Sequence, residues 1–331
     1  MRVLVTGAGG ALGTRVVQLL LAEASIEELV GLDADPPRRR LRRATFHRVD
    51  PRDMTRVAGI VAGFAPTAVV HLGAYEPGAE AAATTAAART DAGTRAALEA
   101  AALVGSLERL VVRSGLEVYG RARGAVTVPD ESVAPDPTSP FGRSLLDVEH
   151  VAAAAGRRAG AAVACLRLAP VVGPHVPSPL GRWLRLPVVP ISLLADPPFA
   201  VLHHDDAARA LVAALLGGAD AVVNVVGRGA VTPFQAARLG SRMPFPVAGP
   251  CLRPTSTGGP LWEIVRRAAE VAGSSMPDHL LELLSRGRTA DGGRAREVLG
   301  IEPAHSTAEV IKALYDWAPV TPLRVRDETA A

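Results

Sequence analysis

The stretch TGAGGALG, residues 6–13, follows the apolar run RVLVT and opens a segment whose apolar residues recur at helical spacing. Three of its four glycines, Gly7, Gly10 and Gly13, lie three residues apart. Glycines at this spacing allow a tight strand-to-helix turn, let backbone N–H groups approach a pyrophosphate, and leave the helix N-terminus facing the anion. The loop therefore predicts a dinucleotide site; the alternative is a tight turn without a ligand. The cofactor contacts expected here are Gly7, Gly10, Ala11, Leu12 and Gly13.

Two acidic residues extend this prediction. Asp33 ends the next apolar run, VGLD, where a carboxylate accepts hydrogen bonds from the adenosine ribose and repels a 2′-phosphate. NAD is therefore favoured over NADP, although Arg38–Arg40 lie close enough in sequence to meet a phosphate. Asp50, after the third predicted strand, is expected to reach the adenine; the alternative is an Asp that caps the turn before Pro51.

The composition is that of a soluble globular protein, with 331 residues, 48% hydrophobic and 21% charged. No signal peptide and no apolar run of about 18 residues is present, so we expect a cytoplasmic protein without membrane insertion. The net charge of +3 is small and the basic run Arg38–Arg43 is local, which argues against a nucleic-acid partner. Cys165 and Cys251 match no metal spacing and are expected to be core thiols.

Apolar runs alternate with helical stretches through the first 170 residues or so, and this pattern predicts an α/β fold with a doubly wound, Rossmann-like parallel sheet. Proline and glycine crowd the second half, which predicts a smaller, irregular C-terminal lobe. The expected domains are a cofactor domain of residues 1–168, completed by about 201–227, and a substrate lobe of 169–200 and 228–331. Helices are expected in the lobe near Pro233–Gly240, Leu261–Ala272, Pro277–Ser285 and Thr307–Trp317.

The stretch SPFGRSLLDVE, residues 139–149, predicts a helix, since Ser139 can cap it and Pro140 suits its first turn. Phe141 and Leu145 lie one turn apart on one face. Both are apolar, although this face of a dinucleotide-binding protein is where catalytic groups are expected.

These segments together resemble the extended short-chain dehydrogenase/reductase superfamily, and in particular its NAD-dependent epimerase/dehydratase branch, which includes UDP-galactose 4-epimerase. The resemblance covers nearly the whole chain. It implies further cofactor contacts at Leu72, Gly73 and Ala74. It is carried by TGAGGALG, VVHLGA (69–74), SGLEVYG (114–120), SPFGRSLLDVE, LRLAPVVGP (166–174), VLHHDDAARAL (201–211) and NVVG (224–227).

The resemblance also shows what is missing. The family uses a Tyr-x-x-x-Lys pair on one helix and a Ser or Thr at the end of the preceding strand to move the proton of a substrate hydroxyl. Aligned by its flanks, this chain has Phe141, Leu145 and Gly115 at those positions. No Tyr or Lys occurs between Gly120 and Lys312, so no shift of register restores the pair. Conventional oxidation of a hydroxyl is therefore not expected.

Three other residues are candidates for acid/base work. Glu117 corresponds to a base of the nucleotide-sugar 4,6-dehydratases, but the Thr and Asp of that motif are absent. Tyr75 follows the fourth strand, where the family's chain passes the nicotinamide, and the alternative is an aromatic residue lining the pocket. Tyr119 belongs to a motif that is usually structural.

Several polar residues have both a functional and a structural interpretation. The run from His203 to Asp206 is either a proton relay or metal site, or a helix cap at a lobe connection; the structural interpretation is favoured and no metal is predicted. His71 is interpreted as a core histidine. Arg167, His175 and Arg182 are candidate contacts for an anionic or nucleotide-linked substrate.

Two functions follow from this pattern, and the sequence favours the first. The first is an enzyme on a nucleotide-sugar-like or secondary-metabolite substrate, with its acid/base work moved to Glu117, Tyr75 or a histidine. The second is a catalytically inactive dinucleotide-binding protein that acts as a sensor or scaffold. The resemblance further implies a homodimer that pairs the helices near Thr84–Val104 and Ser139–Arg158.

Overall fold

The central feature of the molecule is a seven-stranded parallel sheet with the order β10-β6-β5-β4-β1-β2-β3. A computed structural model describes residues 1–37, 43–192, 195–247 and 276–317. Its strands are β1 (Arg2–Thr6), β2 (Glu28–Asp33), β3 (Thr45–Arg48), β4 (Ala68–His71), β5 (Arg109–Gly115), β6 (Ala162–Leu168), β7 (Val171–Val172), β8 (Val188–Ser192), β9 (Leu202–His203), β10 (Ala221–Val225) and β11 (Met243–Val247). The strand order reverses between β1 and β4, the position at which such sheets bind ligands beyond their carboxyl ends.

Helices cover both faces of this sheet, and others belong to the second half of the chain. The α-helices of the described residues are α1 (Ala11–Leu20), α2 (Met54–Phe64), α3 (Ala83–Leu103), α4 (Pro140–Ala159), α5 (Pro179–Leu184), α6 (His204–Gly217), α7 (Pro233–Leu239), α8 (Asp278–Arg286), α9 (Gly293–Leu299) and α10 (Thr307–Trp317). Helices α1 and α6 pack on one face, and α2, α3 and α4 on the other. The predicted doubly wound α/β fold is confirmed.

Helix α4 forms where its sequence predicts it. The Ser139 hydroxyl accepts the N–H of Gly142 at 3.1 Å, and Pro140 occupies the first turn. Gly160 ends the helix in the left-handed region, with φ 68°, a conformation that glycine adopts without steric cost. This placement directs Phe141 and Leu145 into the protein, where both are buried.

The second half of the chain adds a small lobe over the carboxyl ends of the strands. Strands β8 and β11 pair there in parallel, and Trp183, Phe199 and Tyr315 lie in its separate core. The segment α6 to β10 returns to the central sheet, and the exact domain boundaries stay a prediction. The predicted helix Leu261–Ala272, Cys251 and most of the basic run lie outside the described residues. Among the helices described, none has the length and apolar character needed to cross a membrane.

Candidate functional site

The glycine loop forms a tight turn between β1 and α1. Gly7 has φ 70°, a conformation that favours glycine. A Cβ at Gly13 would collide with the carbonyl oxygen of Gly7, so the helix start requires a residue without a side chain. Gly10 differs, because a Cβ there would meet its nearest atom only at 3.7 Å. The loop therefore allows a ligand to approach its backbone closely, and Gly10 faces free space.

A cleft of about 230 Å³ lies in front of this loop. Of the predicted cofactor contacts it brings together Gly7, Gly10, Ala11, Leu12, Gly13, Asp33, Leu72 and Ala74. Gly73 lines a smaller adjoining cavity beneath β4. The sequence analysis missed Gly9, whose backbone N–H donates to Asp33 Oδ2 at 2.9 Å.

Asp33 lies at the end of β2, on the cleft wall. Burial raises the pKa of its carboxyl group, while the hydrogen bond from Gly9 opposes that shift. Tyr75 directs its hydroxyl toward the other carboxylate oxygen, Oδ1, at 3.5 Å. The wall at this end of the cleft is thus a carboxylate that accepts the backbone N–H groups of Gly9 and Asp35 and is faced by a phenol.

Tyr75 was expected beside the nicotinamide, but its hydroxyl lies at Asp33, the residue expected to hold the adenosine ribose. Burial raises the pKa of the phenol far above its usual range. A phenol that holds its proton this strongly is a poor acid/base group at neutral pH. Its position fits the alternative interpretation, an aromatic residue lining the pocket. The Arg89 Cζ lies 5.9 Å from the centroid of its ring.

Asp50 lines neither of these two cavities, and its contact with adenine stays a prediction. Its carboxylate is engaged by Arg52, with Nη2 and Oδ2 2.6 Å apart. The Arg52 side chain accordingly lowers the pKa of Asp50 to about 2. Asp50 also accepts the backbone N–H of Arg52, as expected of an Asp that caps a turn.

The positions of the family's catalytic residues are filled with side chains. A Cβ added at Gly115 would collide with Glu117 Oε2 and lie 3.0 Å from Leu145 Cδ1. Phe141 packs against the ring of His279, with centroids 5.0 Å apart. None of Gly115, Phe141 and Leu145 lines the cleft. The space that a reacting hydroxyl would need is therefore occupied.

Glu117 is held by an arginine from the C-terminal lobe. Arg288 Nη1 donates to Glu117 Oε1 at 2.7 Å, and Arg288 Nη2 donates to Glu282 Oε2 at 2.7 Å. Glu117 is 5% exposed and Arg288 1%. A carboxylate paired in this way is not a free base. The sequence analysis missed Arg288, and no local pattern marks it among the many arginines of the chain.

Tyr119 and Arg167 belong to a buried polar network. The Tyr119 hydroxyl donates to Asn224 Oδ1 at 2.8 Å and accepts from Arg167 Nη1 at 3.0 Å. Arg167 makes a two-pronged ion pair with Glu149, at 2.9 and 2.7 Å. This pairing argues against substrate binding by Arg167, because its guanidinium is buried and paired with Glu149. Its contact with a substrate and acid/base work by Tyr119 both stay predictions.

Two polar groups of the cleft were not foreseen. Arg113 lines it from the end of β5 and donates to the carbonyl of Ala74 at 3.2 Å; burial lowers its pKa. An arginine directly after the apolar run LVV of the strand RLVVRSG was the available signal. Glu76 also lines the cleft, and its Oε1 lies 3.1 Å from His279 Nε2. This pair joins the cleft wall to α8, a link that no sequence spacing reveals.

The remaining candidates lie at the margin or in the core. Arg182 donates to the carbonyl of Ala79, a residue of the cleft wall, at 2.9 Å. His175 is exposed in the loop after β7. Contact of either residue with a substrate stays a prediction. His71 is buried between the hydroxyls of Thr6 and Thr94. Cys165 is also buried, and burial raises the pKa of its thiol to about 12.

The comparisons with known proteins agree with this fold. Among solved structures, the UDP-glucose 4-epimerase of Thermotoga maritima, with UDP-glucose, is 22% identical with a TM-score of 0.72, and covers 96% of this chain and 98% of that one. The UDP-glucuronic acid 4-epimerase of Bacillus cereus, in complex with UDP-glucuronic acid and NAD, gives the same four values. MoeE5, in complex with UDP-glucuronic acid and NAD, is 25% identical with a TM-score of 0.68 over the same shares.

The sequence comparisons identify the family. The uncharacterised protein Rv0501 of Mycobacterium tuberculosis is 30% identical over 342 residues, which cover 97% of this chain and 85% of that protein. The model of the NAD dependent epimerase/dehydratase family matches residues 3–227. The resemblance found in the sequence is therefore confirmed, and the chain belongs to the NAD-dependent epimerase/dehydratase family.

Proposed function

We propose that this protein binds NAD in the cleft and acts as a cofactor sensor or scaffold that does not carry out the hydroxyl oxidation of its family. The glycine loop supports the binding, because Gly10 leaves room for a pyrophosphate in front of the N-terminus of α1. Asp33 supports NAD, since its carboxylate suits a ribose and repels a 2′-phosphate.

The charges of the cleft fit the same cofactor. Arg89 and Arg113 both line it, and guanidinium groups bind phosphate oxygens well. The Nε of Arg89 is buried without a hydrogen-bond partner among the described residues. A buried donor of this kind is costly unless a ligand satisfies it. The cleft thus offers cations and an unsatisfied donor where the cofactor is proposed to lie.

The single observation that carries the proposal of inactivity is the filled space at Gly115. A serine or threonine there would collide with the Glu117 carboxylate, which Arg288 neutralises. General acid–base catalysis contributes about 10²–10⁴-fold to rates, and the groups that supply it in the family are absent here. We propose instead that the Glu76–His279 pair communicates the state of the cleft to the lobe, because it joins the cleft wall to α8.

The first experiment is a calorimetric titration of the protein with NAD. We expect saturable binding by the wild type and its loss in Gly10→Asp, which places a side chain and a negative charge at the pyrophosphate. Gly59→Asp is the matched control, because Gly59 is exposed on α2 with open space around it. Absence of NAD binding by the folded wild type would contradict the proposal.

A second candidate function rests on the Glu76–His279 pair. A carboxylate bonded to an imidazole on the cleft wall is a usable acid/base group, and the relatives of known structure bind UDP-sugars. In this alternative the protein acts on a nucleotide-sugar-like substrate without a Tyr-Lys pair.

A panel of UDP-sugars added to the NAD-loaded protein separates the two functions. The sensor predicts no change in cofactor absorbance and no new sugar product by chromatography. An enzyme predicts turnover that Glu76→Gln and His279→Gln abolish and Glu117→Gln leaves largely intact. Turnover with this pattern would replace the first proposal by the second.

A further inference from the structure

Three of the eight histidines of the chain meet where α6 approaches the segment before α10. The ring centroid of His203 lies 4.4 Å from that of His204 and 4.1 Å from that of His305. Asp206, in the first turn of α6, adds a carboxylate whose side chain is 3% exposed, whereas the His305 side chain is 39% exposed. Segments far apart in sequence thus bring imidazoles and a carboxylate together at the edge of solvent.

The donor atoms of this junction are close enough for one ion. One donor atom each of His203, Asp206 and His305 lies within 4.8 Å of those of the other two. Tetrahedral Zn²⁺ holds nitrogen and oxygen ligands at about 2.0–2.1 Å, and therefore roughly 3.3 Å apart. Small side-chain rotations at the partly exposed His203 and His305 are enough to bring donor atoms that now lie within 4.8 Å of one another to this separation.

The Asp206–His305 pair holds two of the ligand atoms side by side. His305 Nδ1 lies 2.8 Å from Asp206 Oδ2, which also accepts the backbone N–H of His305 at 3.0 Å. Without an ion, Nδ1 carries the proton that lies between these two atoms. An ion that takes the place of this proton is bound by Nδ1 and Oδ2 together, and its binding releases the proton to solvent. The other oxygen, Asp206 Oδ1, faces only Arg209 Nη1 in this network, at 3.5 Å.

His203 is the second imidazole. Its Nδ1 accepts the backbone N–H of Asp205 at 3.3 Å, a long hydrogen bond at the start of α6. A neutral imidazole has one nitrogen lone pair, so binding an ion through this ring displaces that bond. The loss is small, because the N-terminus of α6 keeps Asp205 and Asp206 in its first turn.

We propose that His203, Asp206 and His305 form a binding site for Zn²⁺, with the remaining coordination position open to water. Two imidazoles and one carboxylate suit Zn²⁺, whereas Mg²⁺ and Ca²⁺ prefer oxygen ligands throughout. None of the three residues lines the cofactor cleft, so the site is separate from the proposed function. Its structural consequence is a tie between the start of α6 and the segment that leads into α10.

The test is a metal titration of the untagged full chain after treatment with a chelator. Co²⁺ serves as the spectroscopic probe and Zn²⁺ as the competitor. We expect one Co²⁺ per chain with the visible bands of low-coordinate cobalt, and displacement by Zn²⁺. His305→Ala should weaken binding by at least about tenfold, as should Asp206→Asn. His150→Ala, which removes an exposed imidazole from α4, should leave it unchanged.

Two results would overturn the proposal: no saturable binding by the wild type up to millimolar ion, or equal binding by the wild type and His305→Ala. Either would leave the cluster as a helix cap and packing contact only. His305 is partly exposed, so its variant decides the question even if Asp206→Asn fails to fold. Thermal unfolding provides a second measurement, since Zn²⁺ should raise the Tm of the wild type but not that of His305→Ala. NAD affinity measured on the same samples reports separately on the cleft.

Discussion

Position 115 carries a glycine, and the Glu117 side chain occupies the space that a side chain there would need. The Glu117 carboxylate lies where a serine or threonine would extend, and Leu145 closes the space from α4. Arg288 then neutralises the buried carboxylate. In the proposed sensor, these three residues occupy the place of the family's catalytic centre. Restoring the family's chemistry would then require changes at Glu117 and Leu145 as well, since both meet a Cβ added at Gly115.

The Glu117–Arg288 pair is expected to matter for stability. Glu117→Ala leaves the fully buried guanidinium with Glu282 alone, and should lower the free energy of unfolding by about 3 kcal/mol. Urea unfolding measures the change. Glu27→Ala is the control, because it removes an ion pair whose carboxylate is 75% exposed, and should cost at most about 1 kcal/mol. Equal effects of the two substitutions would contradict the importance of the buried pair.

His71 should make stability depend on pH. Burial lowers its pKa in the folded protein to about 4, from 6.5 in the unfolded chain. The unfolded state therefore binds the proton first, and stability falls as the pH decreases from 6.5 toward 4, by about 3 kcal/mol in total. Urea unfolding across this range should show the loss in the wild type and a shallower one in His71→Gln. Parallel pH profiles for the two proteins would exclude His71 as the cause.

At the scale of elements, the exposed faces of α3 and α4 are where we predict the homodimer. The two helices pack side by side, and small residues such as Ala88 and Ala154 are exposed on them. Ala88→Arg should convert a dimer to a monomer in sedimentation equilibrium, because a long charged side chain prevents close helix packing. Ala62→Arg, at an exposed position of α2, should leave the dimer intact. A wild type that sediments as a monomer at micromolar concentration would refute the dimer.

Elements were predictable where the signal is local. The glycine spacing, the Ser139 cap and the alternation of strands and helices each lie within a few residues, and the fold followed from them. The pairs of Glu117 with Arg288 and of Glu76 with His279 join residues 171 and 203 positions apart. Nothing in the local sequence distinguishes Arg288, or Arg167 with its buried partner Glu149, from a solvent-exposed arginine. The sequence therefore predicted the residues of the glycine loop better than the buried residues that pair across long sequence separations.

At the scale of the whole molecule, the proposed cofactor preference can be measured. Asp33 is buried and bonded to Gly9, so a 2′-phosphate beside it would meet an uncompensated negative charge. We expect NAD to bind at least about tenfold more tightly than NADP, a difference of roughly 1.4 kcal/mol. Calorimetry should show a smaller ratio of NAD affinity to NADP affinity in Asp33→Asn. The ratio should be unchanged in Glu28→Gln, a substitution at the exposed start of β2. Tighter binding of NADP by the wild type would reverse the assignment.

The long separation of Glu117 and Arg288 also has a consequence for the newly made chain. Translation delivers the glycine loop, Asp33 and strands β1 to β6 well before Arg288 leaves the ribosome, and N-terminal units generally fold first. Until then Glu117 has no cation from the lobe. The strands that carry the cofactor cleft are thus synthesised before the arginine that pairs with Glu117, and the last third of the chain supplies that partner.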